Sequence, residues 1–358
     1  VTAEIPPRQG RTTLQDVARL AGVSAKTAAR AINGESNVRS DTRERVFTAA
    51  ATLKFRPNRL ARELRQSART GAVGLVIGNL DNPFYSQLAA GVDHALREHD
   101  LELIIASTDD EPEREKVVVQ AMLERRVTAL MLVPSATDHS YLEGERQLGL
   151  PIIFLDRPPV TVVADSVLWD NHTDVRKAVH ELATRGHRRI SALADSPELF
   201  TATERLTAFR EALTEAGIAP DETLILTSIH DATSAASATA DLLARDDPPT
   251  AIIALNNRIS IGAVSTLLRD DPTCAFVGFD DFDLGETLGI SVVTNDPREM
   301  GNYAGQIALR RIREGTGTPE RISLPTRLVQ RGSGERPASS PHPSTRGSRP
   351  APGLSGSD

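Results

Sequence analysis

Residues Thr13–Asn33 read T-L-Q-D-V-A-R-L-A-G-V-S-A-K-T-A-A-R-A-I-N, two short helices with a tight turn between them. Leu14, Val17, Ala18 and Ala21 recur at i, i+3, i+4 and i+7, one apolar helical stripe. Gly22 is placed to end the first helix in a left-handed residue. Val23 plugs the turn, and Ser24 is an N-cap for a second helix that buries Ala28, Ala31 and Ile32. The alanines let two helices cross closely, as a helix-turn-helix requires when its second helix enters a major groove. That leaves Ala25, Lys26, Thr27, Ala29 and Arg30 facing outward, with Lys26 and Arg30 suited to phosphates or guanine edges. An ordinary helical hairpin has the same apolar stripe, so the basic outer face and the flanking sequence decide between the two.

Those flanks are basic. Residues 1–70 carry 14 Lys and Arg against 6 Asp and Glu, whereas the remainder carries 27 against 42, so a head of +8 sits on a body of −15. Nucleic acid is therefore expected at the head, with salt-sensitive affinity. Residues 1–11 read as a flexible arm. A third helix is expected over about 41–53, capped by Ser40, and closes a small domain at 12–57. Arg56-Pro57-Asn58 stops it. Arg59–Gln66, R-L-A-R-E-L-R-Q, follows within a linker at 58–70. It is too short to hold a helix alone, and reads either as a charged linker or as a segment that folds on DNA and wedges a leucine into the minor groove.

From Gly71 short apolar runs alternate with amphipathic helices, the pattern of parallel sheets covered on both faces. Two such series, the second opening near Asp165, predict two doubly wound subdomains with a cleft off the strand carboxyl ends. The expected bounds are about 71–165 with 296–323 for the first, and about 166–295 with 324–333 for the second. Residues 334–358, with five prolines and one leucine, are expected to be disordered. The single cysteine, Cys274, excludes an intrachain disulfide framework and a cysteine zinc site. No apolar run reaches a membrane span, and no leader is evident, so a cytoplasmic protein is expected.

The ordered set T-L-Q-D-V-A-R-L-A-G-V-S at Thr13, R-P-N-R-L-A-R-E-L at Arg56, D-N-P-F-Y at Asp81, R-G-H-R-R-I at Arg185, E-R-L-T-A-F-R at Glu204, G-F-D-D at Gly278 and R-L-V-Q-R-G-S at Arg327 resembles the LacI/GalR family of bacterial repressors over roughly residues 12–333. The resemblance implies a helix-turn-helix head, a hinge helix and a core like type I periplasmic binding proteins. It also implies a homodimer on a palindromic double-stranded operator, controlled by a small molecule, most often a sugar or sugar phosphate, with no cofactor. Ala25, Lys26 and Arg30 fall where the family reads bases, and Ser24 and Thr27 where it contacts phosphate. Leu64 falls at the wedging leucine, and Thr13, Asn33, Arg59, Leu60 and Arg62 complete the DNA-facing set. Ala29, where a serine is common, and Glu63, an acid beside phosphates, depart from the pattern.

The resemblance places Asp156, Arg205, Asn256 and Asp280 at strand ends lining the cleft, with Phe84 and Tyr85 opposite. Paired polar groups and an aromatic face suit vicinal hydroxyls, and a guanidinium forks two of them. Asn257 stands where many relatives have Asp, one carboxylate fewer. Plainer readings exist: a turn cap for Asp156, a local ion pair for Arg205, core packing for Phe84 and Tyr85, and a hard-cation site for Asp280, Asp281 and Asp283. Trp169 is expected beside the cleft edge, and His180 and His187 on the surface or in structural roles. No nucleophile elbow, phosphate loop or zinc motif is evident, which speaks against an enzyme. An unregulated sugar-binding module would lack the basic head. An activator or a corepressor-dependent repressor shares every one of these features, because the sign of coupling depends on which state the ligand prefers.

Overall fold

A computed structural model describes residues 12–32, 35, 37–55, 71–315 and 317–338. The chain falls into two units, 1–70 and 71–358. The expected arm at 1–11, Asn33, the hinge residues Arg59, Leu60, Arg62, Glu63 and Leu64, and the tail beyond 338 lie outside the described residues.

In the first unit, α1 (Leu14–Ala21), α2 (Ala25–Ile32) and α3 (Ser40–Thr52) surround a core of Val17, Ala18, Ala21, Ala28, Ala31, Val46 and Ala49. Thr13 and Asp16 form a reciprocal capping box at the start of α1, which satisfies two of the backbone N–H groups a helix start leaves free. Gly22 ends α1 at φ 64°, the left-handed turn expected there. The Ser24 hydroxyl accepts from the Thr27 amide at 3.1 Å. Ser40 is not the cap of α3, because the helix begins on that residue and Arg39 occupies the cap position without a side-chain bond.

The second unit holds two six-stranded sheets. The first is built from β1 (Ala72–Ile77), β2 (Glu102–Ser107), β3 (Ala129–Leu132), β4 (Ile152–Leu155), β5 (Asp165–Trp169) and β11 (Arg321–Leu324), in the order β11-β5-β4-β3-β1-β2 and parallel throughout. The second is built from β6 (Ile190–Leu193), β7 (Ile225–Leu226), β8 (Ala251–Ala254), β9 (Ala275–Phe279), β10 (Ser291–Thr294) and β12 (Arg327–Val329), in the order β12-β10-β9-β8-β6-β7. Its edge strand β12 runs antiparallel to β10, a departure from the all-parallel expectation. The helices covering these sheets are α4 (Pro83–Leu96), α5 (Pro112–Glu124), α6 (Glu143–Gln147), α7 (Thr173–Thr184), α8 (Phe200–Glu215), α9 (Ala232–Leu243), α10 (Asn257–Asp270) and α11 (Pro297–Glu314).

Three sequence-based expectations are corrected here. Asp165 does not open the second series, since β5 pairs with β4 and β11 in the first sheet. Its carboxylate accepts two bonds from Arg311, at 2.9 and 2.7 Å, and one from the Glu320 amide at 2.8 Å. Trp169, at the end of β5, is 4 % exposed and packs in the first core, so it is not at the cleft edge. Residues 334–338 are part of the fold: the Gly334 amide donates to Ser291 Oγ, Ser291 Oγ donates to Glu335, and Arg336 donates to the Cys274 carbonyl. The Arg336 carbonyl bonds His187 Nε2 at 3.0 Å, while His187 Nδ1 meets Thr250 at 2.8 Å. His187 is thus structural.

Within the described residues the chain crosses between the halves three times, at 170–172, 295–296 and 325–326. Two of these crossings are tied together: the Asp170 amide donates to the Leu324 carbonyl at 2.8 Å, and Thr326 Oγ1 donates to the Asp170 carbonyl at 3.1 Å. Helices α4 and α11 meet backbone to backbone. A Cβ on Gly301 would lie 2.1 Å from the Leu88 carbonyl oxygen, and one on Gly91 would lie 2.1 Å from that of Arg298.

Candidate functional site

Both halves of the second unit contribute to a cleft of about 970 Å³ at the carboxyl ends of their strands. Asp109 and Asp110 follow β2, Asp156 follows β4 and Asp280 follows β9, and all four have positive φ, at 55°, 58°, 63° and 58°. Asp tolerates the left-handed region better than most residues with a Cβ, because its short side chain bonds locally. Backbone strain at four residues following three strands around one cavity is the pattern of a built site.

Arg205 stands at the centre. It lies in the second turn of α8, is 6 % exposed, and its guanidinium carbon lies 3.6 Å from the centroid of the Phe279 ring. Its Nε donates to Asn171 Oδ1 at 2.7 Å and its Nη1 to the Leu255 carbonyl at 2.8 Å. Burial lowers its pKa, opposed by Asp280 and Asp156. Burial likewise raises Asp156, against the pull of Arg157 and Arg205. Asp280 is pushed up to about 6 by burial, with Arg205 pulling the other way, Asp156 adding repulsion, and Asn295 donating to it at 3.0 Å.

Asp280 therefore carries a pH signature. Its ordinary pKa of about 3.9 describes the unfolded chain, so the folded state holds its proton more tightly. Stability is favoured below pH 4 and is lost as the pH rises through about 6. Asp280→Asn keeps the shape and the tolerance for positive φ. It should melt within a degree of the parent at pH 4 and several degrees above it at pH 7.5. Parallel melting curves at both pH values check this; an offset that does not change with pH would contradict it.

The remaining expected residues divide. Phe84 and Tyr85 line the cleft and also belong to the first core, 9 % and 4 % exposed, so both readings hold. Asn256 lines the cleft but is occupied: its Oδ1 accepts from the Ile259 amide at 2.9 Å and its Nδ2 donates to Asp195 at 3.0 Å. Asp281 is turned away and paired with Arg331 at 2.6 and 2.7 Å. Asp280, Asp281 and Asp283 do not converge, and no cluster able to hold a metal occurs among the described residues.

Sequence reasoning missed several lining residues. Arg157, 8 % exposed, donates to the Pro134 carbonyl at 2.9 Å and stands 3.1 Å from Asp110. Asn82 caps α4, accepting from the Phe84 amide at 3.0 Å, and receives Asn257 Nδ2 from the other half at 2.6 Å. Buried Glu115 holds the lining loop by accepting from the Ser135 and Ala136 amides at 2.5 and 3.1 Å. Burial works against its charge, yet these amides and His139 keep its pKa low. The doublet Asp109-Asp110 after an apolar run was the one available signal.

In the first unit Ser24, Ala25 and Lys26 are exposed along α2, as is Thr13 at the start of α1. Thr27 is half-buried and bonds the Ser24 hydroxyl at 2.9 Å. Half-buried Arg30 stands 3.4 Å from Glu35. Lys26 is the basic residue of α2 that projects fully.

A helix-turn-helix unit followed by a two-lobed α/β core with an interlobe cleft defines a class that couples a DNA-reading head to a ligand-binding body. Comparison with family models specifies it. The model described as bacterial regulatory proteins, lacI family, matches residues 13–58, and that of periplasmic binding proteins and sugar binding domain of LacI family matches residues 70–273. The chain belongs to the LacI family of bacterial regulatory proteins. It is 32 % identical to the transcriptional regulator CelR of Thermobifida fusca, over 91 % of this chain and 99 % of that one. The ribose operon repressor of Haemophilus influenzae is 29 % identical over 84 % and 92 %. A crystal structure of the lac repressor dimer bound to operator and the anti-inducer ONPF superposes with a TM-score of 0.78 at 25 % identity, covering 91 % of this chain and 99 % of that one. A CelR–cellobiose complex gives 0.65 at 29 %, covering 90 % and 100 %. Among the described residues no helix is long and apolar enough to cross a membrane.

Proposed function

We propose that this chain is a homodimeric repressor that reads a palindromic operator in the cytoplasm and is released when a carbohydrate occupies the cleft. It works by binding, without turnover. The observation that carries the reading is Arg205, stacked on Phe279 and ringed by carboxylates at left-handed strand ends: a guanidinium beside carboxylates is the arrangement that grips vicinal hydroxyls. The effector residues are Phe84, Tyr85, Asp156, Arg205 and Asp280, with Asn256 acting through Asp195. The DNA-facing residues are Thr13, Ser24, Ala25, Lys26, Thr27 and Arg30, joined by Asn33 and the hinge residues Arg59, Leu60, Arg62 and Leu64. The kinship with CelR, whose complex contains cellobiose, and with the operator-bound lac repressor supports both halves of this assignment.

The test is operator binding by the full chain, with the site found by selection from random duplexes. Affinity should fall steeply with salt as counterions are released, and one saccharide should weaken it further. Binding to every duplex alike, or affinity indifferent to salt, overturns the reading. Lys26→Ala should lower affinity for the selected operator about 10–100-fold, in line with one lost base contact of about 1–3 kcal/mol, and flatten preference at one base pair per half-site. An unchanged preference in a repeated selection removes Lys26 from the readout.

A further inference from the structure

We propose that Asn257 and Asn82 form a one-way latch across the cleft, Asn257 donating and Asn82 accepting, which biases the two lobes towards closure. Asn82 lies in the first lobe and Asn257 in the second, and both line the cleft. Nδ2 of Asn257 stands 2.6 Å from Oδ1 of Asn82. Neither residue belongs to a crossing segment, so the bond restrains rotation about those segments and is no part of the pivot.

Each end is anchored to its own lobe by a backbone amide, and that fixes which atom faces which. The direction of an asparagine amide is settled by its hydrogen-bond partners. Asn82 Oδ1 accepts from the Phe84 amide at 3.0 Å as the N-cap of α4, so the atom it turns to the other lobe is an acceptor. Asn257 Oδ1 accepts from the Arg258 amide at 2.8 Å, which leaves Nδ2 to point across. The latch joins the N-terminal ends of α4 and α10, and each of those helices packs into the core of its own lobe. Asn257 is 8 % exposed, so water competes poorly for its donor.

A carboxylate at position 257 would have the same shape and no donor. Its oxygen would face Asn82 Oδ1, acceptor to acceptor. Turning the Asn82 amide over would present Nδ2 instead, but the Phe84 amide would then lose its cap. One bond is lost either way. At position 82 the same exchange keeps both bonds, because a carboxylate accepts from the Phe84 amide and from Asn257 Nδ2, and Asp serves as well as Asn at an N-cap. The two substitutions add the same charge, at atoms in contact and at two helix N-termini, yet only one removes the latch. A net hydrogen bond shifts an open-to-closed ratio about 2–10-fold. A ligand that bridges the lobes, whatever its class, then has less closure left to drive and binds more tightly.

The experiment compares the full chain with its Asn257→Asp, Asn257→Ala and Asn82→Asp variants, by melting at pH 7.5 and pH 4 and by hydrogen–deuterium exchange read by mass spectrometry. At pH 7.5 Asn82→Asp should melt several degrees above Asn257→Asp. Exchange across residues 82–88 should quicken about 3-fold or more in Asn257→Asp, although that substitution lies in the other lobe, in line with one lost hydrogen bond. Asn257→Ala, which removes the donor without adding charge, should quicken it as much, and Asn82→Asp should keep the parent's rate. Towards pH 4, near the ordinary Asp pKa of about 3.9, protonation returns a donor to Asn257→Asp, and the gap in melting between the two Asp variants should narrow by half or more. Equal melting of those two at pH 7.5 leaves only the added charge and overturns the latch. Quickened exchange confined to residues 255–262 of the second lobe, or a gap of the same size at both pH values, overturns it too.

Discussion

Arg205→Met is expected to abolish ligand response and to cost the core stability at once. The substitution removes the donors to Asn171 Oδ1 and the Leu255 carbonyl and leaves Asp156 and Asp280 without the guanidinium that offsets their repulsion. Breaking a buried charge arrangement from one side costs about 3–5 kcal/mol, which at about 2–4 °C per kcal/mol for a core of this size is a fall of roughly 6–20 °C in Tm. Ligand affinity should drop at least 100-fold, while operator affinity in the absence of ligand stays within a few-fold at a temperature where the variant is folded. Arg205→Lys should not rescue it, since a point charge cannot both stack on Phe279 and fork two partners. A Tm within two degrees of the parent, or a ligand response of normal size, would remove Arg205 from the centre of the site.

The second large effect lies away from the ligand. At Gly301 a methyl group would sit 2.1 Å from the Leu88 carbonyl oxygen and 2.8 Å from the Val92 nitrogen. Both obstacles are backbone, so no rotamer change relieves the clash, and α4 and α11 must separate. Overpacking costs about 1–3 kcal/mol where side chains give way; with backbone as the obstacle, Gly301→Ala should exceed that range and Gly301→Val should prevent recovery of folded protein. Gly144, in α6, has nothing within 4 Å of a would-be Cβ. Its alanine variant should match or exceed the parent by up to about 1 kcal/mol. Urea midpoints of the two alanine variants give the comparison, and equal midpoints would contradict the close approach.

Local chemistry made much of this architecture legible. The stripe at Leu14, Val17, Ala18 and Ala21, the stop at Gly22 and the cap at Ser24 each act within one or two turns, and each is found as expected. Strand membership is another matter. Asp165–Trp169 looks like any other apolar run, and only its pairing, with residues 153–155 on one side and with residues 321–324, more than 150 positions later, on the other, puts it in the first sheet. Residues 334–338, G-E-R-P-A, show no apolar period of their own, and are fixed by distant Ser291, Cys274 and Arg185. In the cleft, the residue types expected at Asp156, Arg205 and Asp280 do converge. The burial of Arg157, the bond from Asn257 to Asn82 and the capture of Asn256 by Asp195 depend on side-chain directions that no spacing encodes.

The three crossing segments join the two lobes at the floor of the cleft. Asn171 lies in the first crossing and accepts from Arg205; Asn295 lies in the second and donates to Asp280. The third is laced to the first through Thr326 and Asp170. Any rotation of one lobe against the other turns these asparagines, and so shifts the arginine and the aspartate at the floor. The pivot and the grip of the molecule are therefore a single hydrogen-bonded assembly. Its tension is set from either end, so what changes the cleft is felt at the axis without a relay between them.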